Sequence, residues 1–253
     1  MTEDEVVTTL RAAGCVFAED EAAMLVKAAS GDAALAAMVG RRARGEPLEQ
    51  VVGHADFAGV RVRLRPGVFV PRVRSELLVR EAVRRTAPGA VVVVVDLCCG
   101  SGALGLAVTR QRPAITLYAA DVDPVAVACA RDNLTGIGEV FQGDLYAALP
   151  RPLAIDVLLA NVPYVATGHI PLLPAEARDH EPHTALDGGG DGLDVFRAVA
   201  AGAPGWLAPG GVLLSEITRA QIEPATAAAR ASGLRPEVVS DEDLEATVIV
   251  AVR

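Results

Sequence analysis

The sequence predicts an α/β protein, a doubly wound and mostly parallel sheet preceded by a small N-terminal helical segment. Three observations carry this. From about Ser75 onward, helical and strand patterns alternate, the rhythm of a sheet covered by helices on both faces. The run Val91 to Leu97 is so uniformly apolar that it suits a parallel strand buried on both sides. Immediately after it, Asp96-Leu97-Cys98-Cys99-Gly100-Ser101-Gly102 breaks the pattern at the strand-to-helix junction, where open sheets of this kind bind ligands.

Taken in order, residues Glu3 to about Val39 carry apolar side chains at helical spacing (Val6, Leu10, Ala13; then Ala23, Leu25, Val26, Ala29). Gly14 and Gly31 interrupt them, which predicts two or three short helices. Residues 46 to 71 place Gly53, Gly59, Pro66 and Gly67 around the alternating stretch Val60 to Leu64, a β-hairpin pattern. The chain thus divides into a helical segment over 1–45, a hairpin connector over 46–74 and an α/β domain over 75–253. Within the last, helices are predicted over Glu76 to Arg85, Ala103 to Arg110 and Pro124 to Asn133. Strands are predicted over Ile115 to Ala120, Val140 to Gln142 and Ile155 to Ala160. Asp123-Pro124 is a helix start, since Asp accepts N-terminal amides and Pro fits the first helical position. After Trp206 come a Pro209-Gly210-Gly211 turn, a strand Val212 to Ile217, a helix from about Gln221 to Ser232, and two strands near Glu237 and Thr247.

With 253 residues, 51% of them hydrophobic, the chain can bury a full α/β core, which excludes a disordered role. No run approaches the roughly 20 apolar residues of a membrane helix, and the acidic start lacks a secretion signal's basic region, so a cytoplasmic location is expected. Four cysteines without a CxxC pair suit reduced thiols rather than zinc or a redox couple. A net charge of −9 argues against sequence-independent DNA binding. Residues 41 to 85 run the other way, with eleven arginines against five acids. That stretch reads either as a solvated surface or as a docking face for an acidic or RNA-associated partner. His180-Glu181-Pro182-His183 mimics metal-ligand spacing, but the proline spoils the helical face such ligands need, and no metal is expected.

The glycine loop alone is ambiguous. Gly100-x-Gly102-x-x-Gly105 also fits a dinucleotide site, which makes an NAD-dependent oxidoreductase the rival class. Three acids at strand ends shift the balance. A carboxylate at Asp121 can take both ribose hydroxyls, and one at Asp144, beside Leu145, can accept from an adenine amino group. Asp96 discriminates, because a carboxylate ahead of the loop suits the cationic methionine end of S-adenosyl-L-methionine and would repel a pyrophosphate. The expected cofactor site is Asp96, Cys98, Gly100, Ser101, Gly102, Asp121, Asp144, Leu145 and Asn161.

The strand Ile155 to Ala160 delivers Asn161-Val162-Pro163-Tyr164 to the same sheet edge. An amide nitrogen is a poor nucleophile because its lone pair is delocalised, so a site that methylates one must hold it and favour pyramidalisation. The Asn161 side-chain oxygen and the Val162 carbonyl can each accept one N–H, aiming the lone pair at the methyl group. Pro163 keeps Val162 extended and offers no competing N–H. Tyr164 can stack on a planar substrate. These four are the expected catalytic residues.

On these residues the chain resembles the HemK/PrmC protein-glutamine methyltransferases, class I (Rossmann-like) enzymes whose tetrapeptide reads Asn-Pro-Pro-Tyr. The likeness extends over Arg44 to Leu48, Gly53, Phe57 and Gly59, then Pro66 to Arg72 and Glu76 to Val79. It continues in Glu181-Pro182, Ala185 to Gly189 and Asp191 to Leu193. It implies methyl transfer from S-adenosyl-L-methionine to a glutamine side-chain nitrogen, in the best-known members that of the Gly-Gly-Gln loop of peptide-chain release factors. It also implies that residues 1–45 help to recognise the protein substrate. Where the residues alone stop, a ribosomal protein, a nucleobase or a small amine remains as an alternative acceptor. The chain departs from the pattern at Val162, at Cys98 where a glycine is usual, at Val73-Arg74-Ser75 in place of Pro-Glu-Thr, and in a shorter N-terminal segment. These departures imply a divergent paralogue.

Overall fold

The computed structural model describes residues 1–86 and 91–253. Three helices open the chain, α1 (Glu3–Ala12), α2 (Ala18–Ala28) and α3 (Asp32–Ala43), followed by the single turn α4 (Leu48–Val52). Their apolar stripes meet in a small core of Val6, Leu10, Ala22, Leu25, Leu35, Val39 and Val51. The helical spacing seen in the sequence is the spacing that fills this core. A two-stranded antiparallel hairpin follows, β1 (His54–Phe57) and β2 (Val60–Arg63), with Phe57 opposite Val60 across the turn.

The remaining chain builds one seven-stranded sheet. In chain order its elements are α5 (Glu76–Arg85), β3 (Val92–Leu97), α6 (Ala103–Gln111), β4 (Ile115–Asp121), α7 (Pro124–Asn133), β5 (Gly138–Gln142) and β6 (Ile155–Ala160). Then come α8 (Ala175–His180), α9 (His183–Leu186), α10 (Asp194–Gly202), β7 (Leu207–Glu216), α11 (Ile222–Ala231), β8 (Arg235–Asp241) and β9 (Ala246–Val252). The strand order is β5-β4-β3-β6-β7-β9-β8. The first five are parallel and β9 runs antiparallel to both β7 and β8. No helix among the described residues is long and apolar enough to cross a membrane.

The alternation of side chains along each strand explains the two layers. Val92 and Val94 of β3 join Leu117, Val157 and Leu214 under α5, α6 and α7. Val95 and Leu97 join Leu158, Leu213 and Ile249 under α10 and α11, with Phe196 and Val199 as the α10 anchors. Because β4 and β6 flank β3 on opposite sides, the chain reverses its winding direction at the C-terminal end of β3. A crevice opens there.

Candidate active site

The loop after β3 is the first wall of that crevice. Asp121, at the end of β4, accepts the Gly100 N–H at Oδ2 (2.9 Å) and the Asp123 N–H at Oδ1 (3.0 Å), so one carboxylate ties the loop to the start of α7. Asn133 holds the other side, donating from Nδ2 to the Ser101 carbonyl and to the Arg63 carbonyl, each at 2.9 Å. Cys98 has φ +55°, a left-handed conformation that costs a non-glycine residue on the order of 1 kcal/mol. Cys98 has therefore taken on a glycine's conformation. Leu145, following Asp144, is also left-handed, at φ +44°.

A cavity of about 540 Å³ lies against this loop. Its lining brings together ten of the residues expected from the sequence: Cys98, Gly100, Ser101, Asp121, Asp144, Leu145, Asn161, Val162, Pro163 and Tyr164. Asp96 and Gly102 stand outside the lining. Asp96 is fully buried behind the loop, its Oδ2 accepting the Gly105 N–H of α6 at 3.0 Å and its Oδ1 without a partner. Burial pushes its pKa up to about 8, with the neighbouring Asp121 charge adding to the rise. Gly102, at the start of α6, faces Ala130 of α7 and Leu134 just beyond that helix, where it serves packing. Burial likewise raises the pKa of Asp121, and it raises that of the Cys98 thiol strongly, leaving it protonated and inert.

The second wall is the tetrapeptide at the tip of β6. Among the described residues only two buried side-chain polar atoms lack a hydrogen-bond partner, and one of them is Asn161 Oδ1. The Val162 carbonyl also accepts no hydrogen bond among those residues. Tyr164 is tied differently from a free stacking ring. Its hydroxyl donates to Glu216 Oε1 (2.5 Å) and accepts from Arg74 (2.7 Å to Nη2). Burial and the Glu216 charge push its pKa upward.

The glycine-rich segment after α9 explains why the tetrapeptide holds its course. Val165 donates to the Leu186 carbonyl and accepts from Gly188, and Gln221 donates from Nε2 to the Tyr164 carbonyl. A Cβ on Gly188 would sit 2.6 Å from the Pro163 oxygen, and one on Gly192 would sit 2.3 Å from the Tyr164 oxygen. Both glycines are thus required by close backbone approach. Glu181, between α8 and α9, anchors that part of the chain to the connector, accepting from the Val70 N–H (3.1 Å) and from Arg72 (2.6 Å).

Sequence reasoning did not find Ser75, Glu216, Gln221 or Glu181 as parts of the site. Glu181 lies within a family-like stretch and Ser75 within a departure from the family pattern, and their isolated positions carry no spacing signal. Glu216 sits in an apolar strand, and an acid in such a run was the available clue.

Sheet order, the crevice at the winding reversal and the loop-plus-tetrapeptide cavity define a class I S-adenosylmethionine-dependent methyltransferase. The comparison with solved structures agrees. The Thermus thermophilus 16S rRNA N2 G1207 methyltransferase, in complex with AdoMet and guanosine, superposes with a TM-score of 0.57 at 23% identity, covering 79% of this chain and 49% of that one. Residues 59–191 match the methyltransferase small domain family, and the chain belongs to that family. The release factor glutamine methyltransferase of Moorella thermoacetica is 39% identical over 200 residues, 77% of this chain and 70% of that protein. A 4-amino-L-phenylalanine/4-methylamino-L-phenylalanine methyltransferase of Streptomyces pristinaespiralis is 38% identical over 206 residues, 77% of this chain and 69% of its own length.

Proposed function

We propose that this chain transfers a methyl group from S-adenosylmethionine to the side-chain amide nitrogen of a protein glutamine, that of the Gly-Gly-Gln loop of a peptide-chain release factor. The observation that carries the reading is the Asn161 Oδ1 atom, a buried acceptor without a partner in the cavity that the glycine loop also lines. The relatives named for glutamine methylation of release factors, at 37 to 39% identity, supply the acceptor.

The cavity suits the cofactor. Its volume lies within the range of cofactor pockets, and it sets acceptor carboxylates at Asp121 and Asp144 beside the exposed backbone of the glycine loop. When bound, S-adenosylmethionine supplies an electrophilic methyl on a sulfonium. Asp121 would take ribose hydroxyls, Asp144 with Leu145 would hold the adenine, and Cys98, Gly100 and Ser101 would present backbone to the rest. Asp96 lies buried behind the loop, where its Oδ2 fixes the start of α6 by accepting the Gly105 N–H. Asn161 Oδ1 and the Val162 carbonyl each accept one N–H of the glutamine amide, which leaves its lone pair free. As that nitrogen gains positive charge, the same two oxygens stabilise it, and the product then sheds one proton to solvent. Residues 1–45 are the segment we assign to substrate recognition, with 46–74 as connector and 75–253 as the catalytic domain. The cytoplasm, where release factors work, is the compartment.

The relative from Streptomyces pristinaespiralis favours a second reading with the same chemistry on a free aromatic amine. One experiment separates the two. The enzyme is given methyl-labelled cofactor with either an unmethylated bacterial release factor or 4-amino-L-phenylalanine, and the product is mapped by mass spectrometry. A single methyl on the Gly-Gly-Gln glutamine is expected. Label in the amino acid alone would replace the first reading with the second.

A further inference from the structure

We propose that Ser75 and Glu216 are positioning residues that fix which end of the Asn161 side-chain amide faces the acceptor nitrogen. The inference rests on the reading that Asn161 Oδ1 accepts an N–H of the substrate.

An asparagine amide has nearly the same shape either way round, so its surroundings must choose between oxygen and nitrogen. Here the choice is made by a chain of hydrogen bonds whose two ends have no freedom. A guanidinium can only donate and an ionised carboxylate can only accept. Glu216 is 2% exposed and lies at the end of β7. Its Oε1 accepts from Arg74 Nε (2.8 Å) and from the Tyr164 hydroxyl (2.5 Å), and its Oε2 accepts from the Ser75 hydroxyl (2.6 Å).

Ser75, also 2% exposed, has one hydroxyl proton, and Glu216 takes it. Toward Asn161 the Ser75 oxygen can then only accept. The Asn161 atom 3.2 Å away must be Nδ2, which turns Oδ1 into the cavity. Flipping the amide would set two acceptors against each other at Ser75 and two donors against each other at the substrate. The network thus commits the site to an acceptor group that carries an N–H. Because Tyr164 shares the same carboxylate, both ends of the Asn161–Tyr164 tetrapeptide are held from one buried charge.

The test measures kcat, KM and S-adenosylhomocysteine affinity for Ser75→Ala, Ser75→Thr and Glu216→Gln, with release factor as acceptor. In Ser75→Ala, kcat should fall by about 10- to 100-fold, the scale set by misorientation, with cofactor affinity within about threefold. Ser75→Thr, which restores the hydroxyl, should recover most of that loss. Glu216→Gln places a donor in the network and should lower kcat as Ser75→Ala does. A Ser75→Ala enzyme with wild-type kcat, a threonine variant as impaired as the alanine, or a parallel loss of cofactor affinity would overturn the proposal. A contact readout that needs no turnover is solvent exchange of the 15N-labelled Asn161 side-chain amide. It should quicken by about tenfold or more in Ser75→Ala, as expected when a hydrogen bond is removed, and an unchanged rate would again overturn the proposal. Wild-type inactivity on release factors would defeat the proposed substrate and leave this exchange result standing by itself.

Discussion

Asp96 is held in a state that water would not give it. Its ordinary pKa is near 4 and burial raises it to about 8, so the folded protein keeps a proton that the unfolded chain releases across that interval. At this group the unfolded state then binds fewer protons, so its contribution to stability falls as pH rises from about 4 toward 8. Asp121 is shifted in the same direction. Thermal unfolding followed from pH 4 to 8 should therefore show that Asp96→Asn loses less, or gains more, in melting temperature with rising pH than wild type does. An identical slope in that variant would contradict the assignment. Cys98 makes the complementary point about strain. With φ +55° it occupies a glycine's conformation, so Cys98→Gly should leave S-adenosylhomocysteine affinity within about threefold, because the backbone that faces the ligand is unchanged. A large loss by calorimetry would mean that the thiol itself contributes.

Among the elements, α7 begins as its sequence requires, with the Asp123 side chain accepting the Val125 N–H at 2.8 Å and Pro124 at the first helical position. Asp123→Ala should cost about 1 kcal/mol in chemical denaturation. Gly188→Ala should lower both stability and turnover. Its Cβ would meet the Pro163 and Gly192 oxygens, the tetrapeptide must shift, and kcat should drop by about 100-fold with cofactor affinity little altered. The βα units were legible because their periodicity and their burial coincide: α5, α7 and β6 span the ranges expected from the sequence. Helix α10 was not foreseen, although Leu193, Phe196, Val199 and Ala200 recur at helical spacing. Its start is packed into the glycine-rich segment that reads as a loop. Strand β7 runs from Leu207 through Pro209-Gly210-Gly211, where a turn was expected. Ile155 pairs with Leu207 and an irregularity before Val157 absorbs the misfit, so pairing overrode the local turn preference.

Over the whole molecule, the arginine-rich stretch is a feature of sequence more than of space. Nine of its eleven arginines form ion pairs, many with acids distant in the chain: Arg42 with Glu21 and Glu176, Arg65 with Asp132, Arg72 with Glu181, Arg80 with Asp241. Arg44 and Arg63 alone lack one among the described residues. The same distance in sequence hid half of the site. Asn161 and the glycine loop announce themselves through local motifs, whereas Ser75 and Glu216 stand 141 residues apart and meet only because α5 begins where β7 ends. Spacing rules have no purchase on such a pair. The role of the tetrapeptide is decided by comparing Asn161→Ala with wild type in release-factor methylation and in S-adenosylhomocysteine binding. Turnover should fall by about 100-fold or more while affinity stays within about tenfold; full turnover in the variant would rule out Asn161 as the group that holds the acceptor nitrogen.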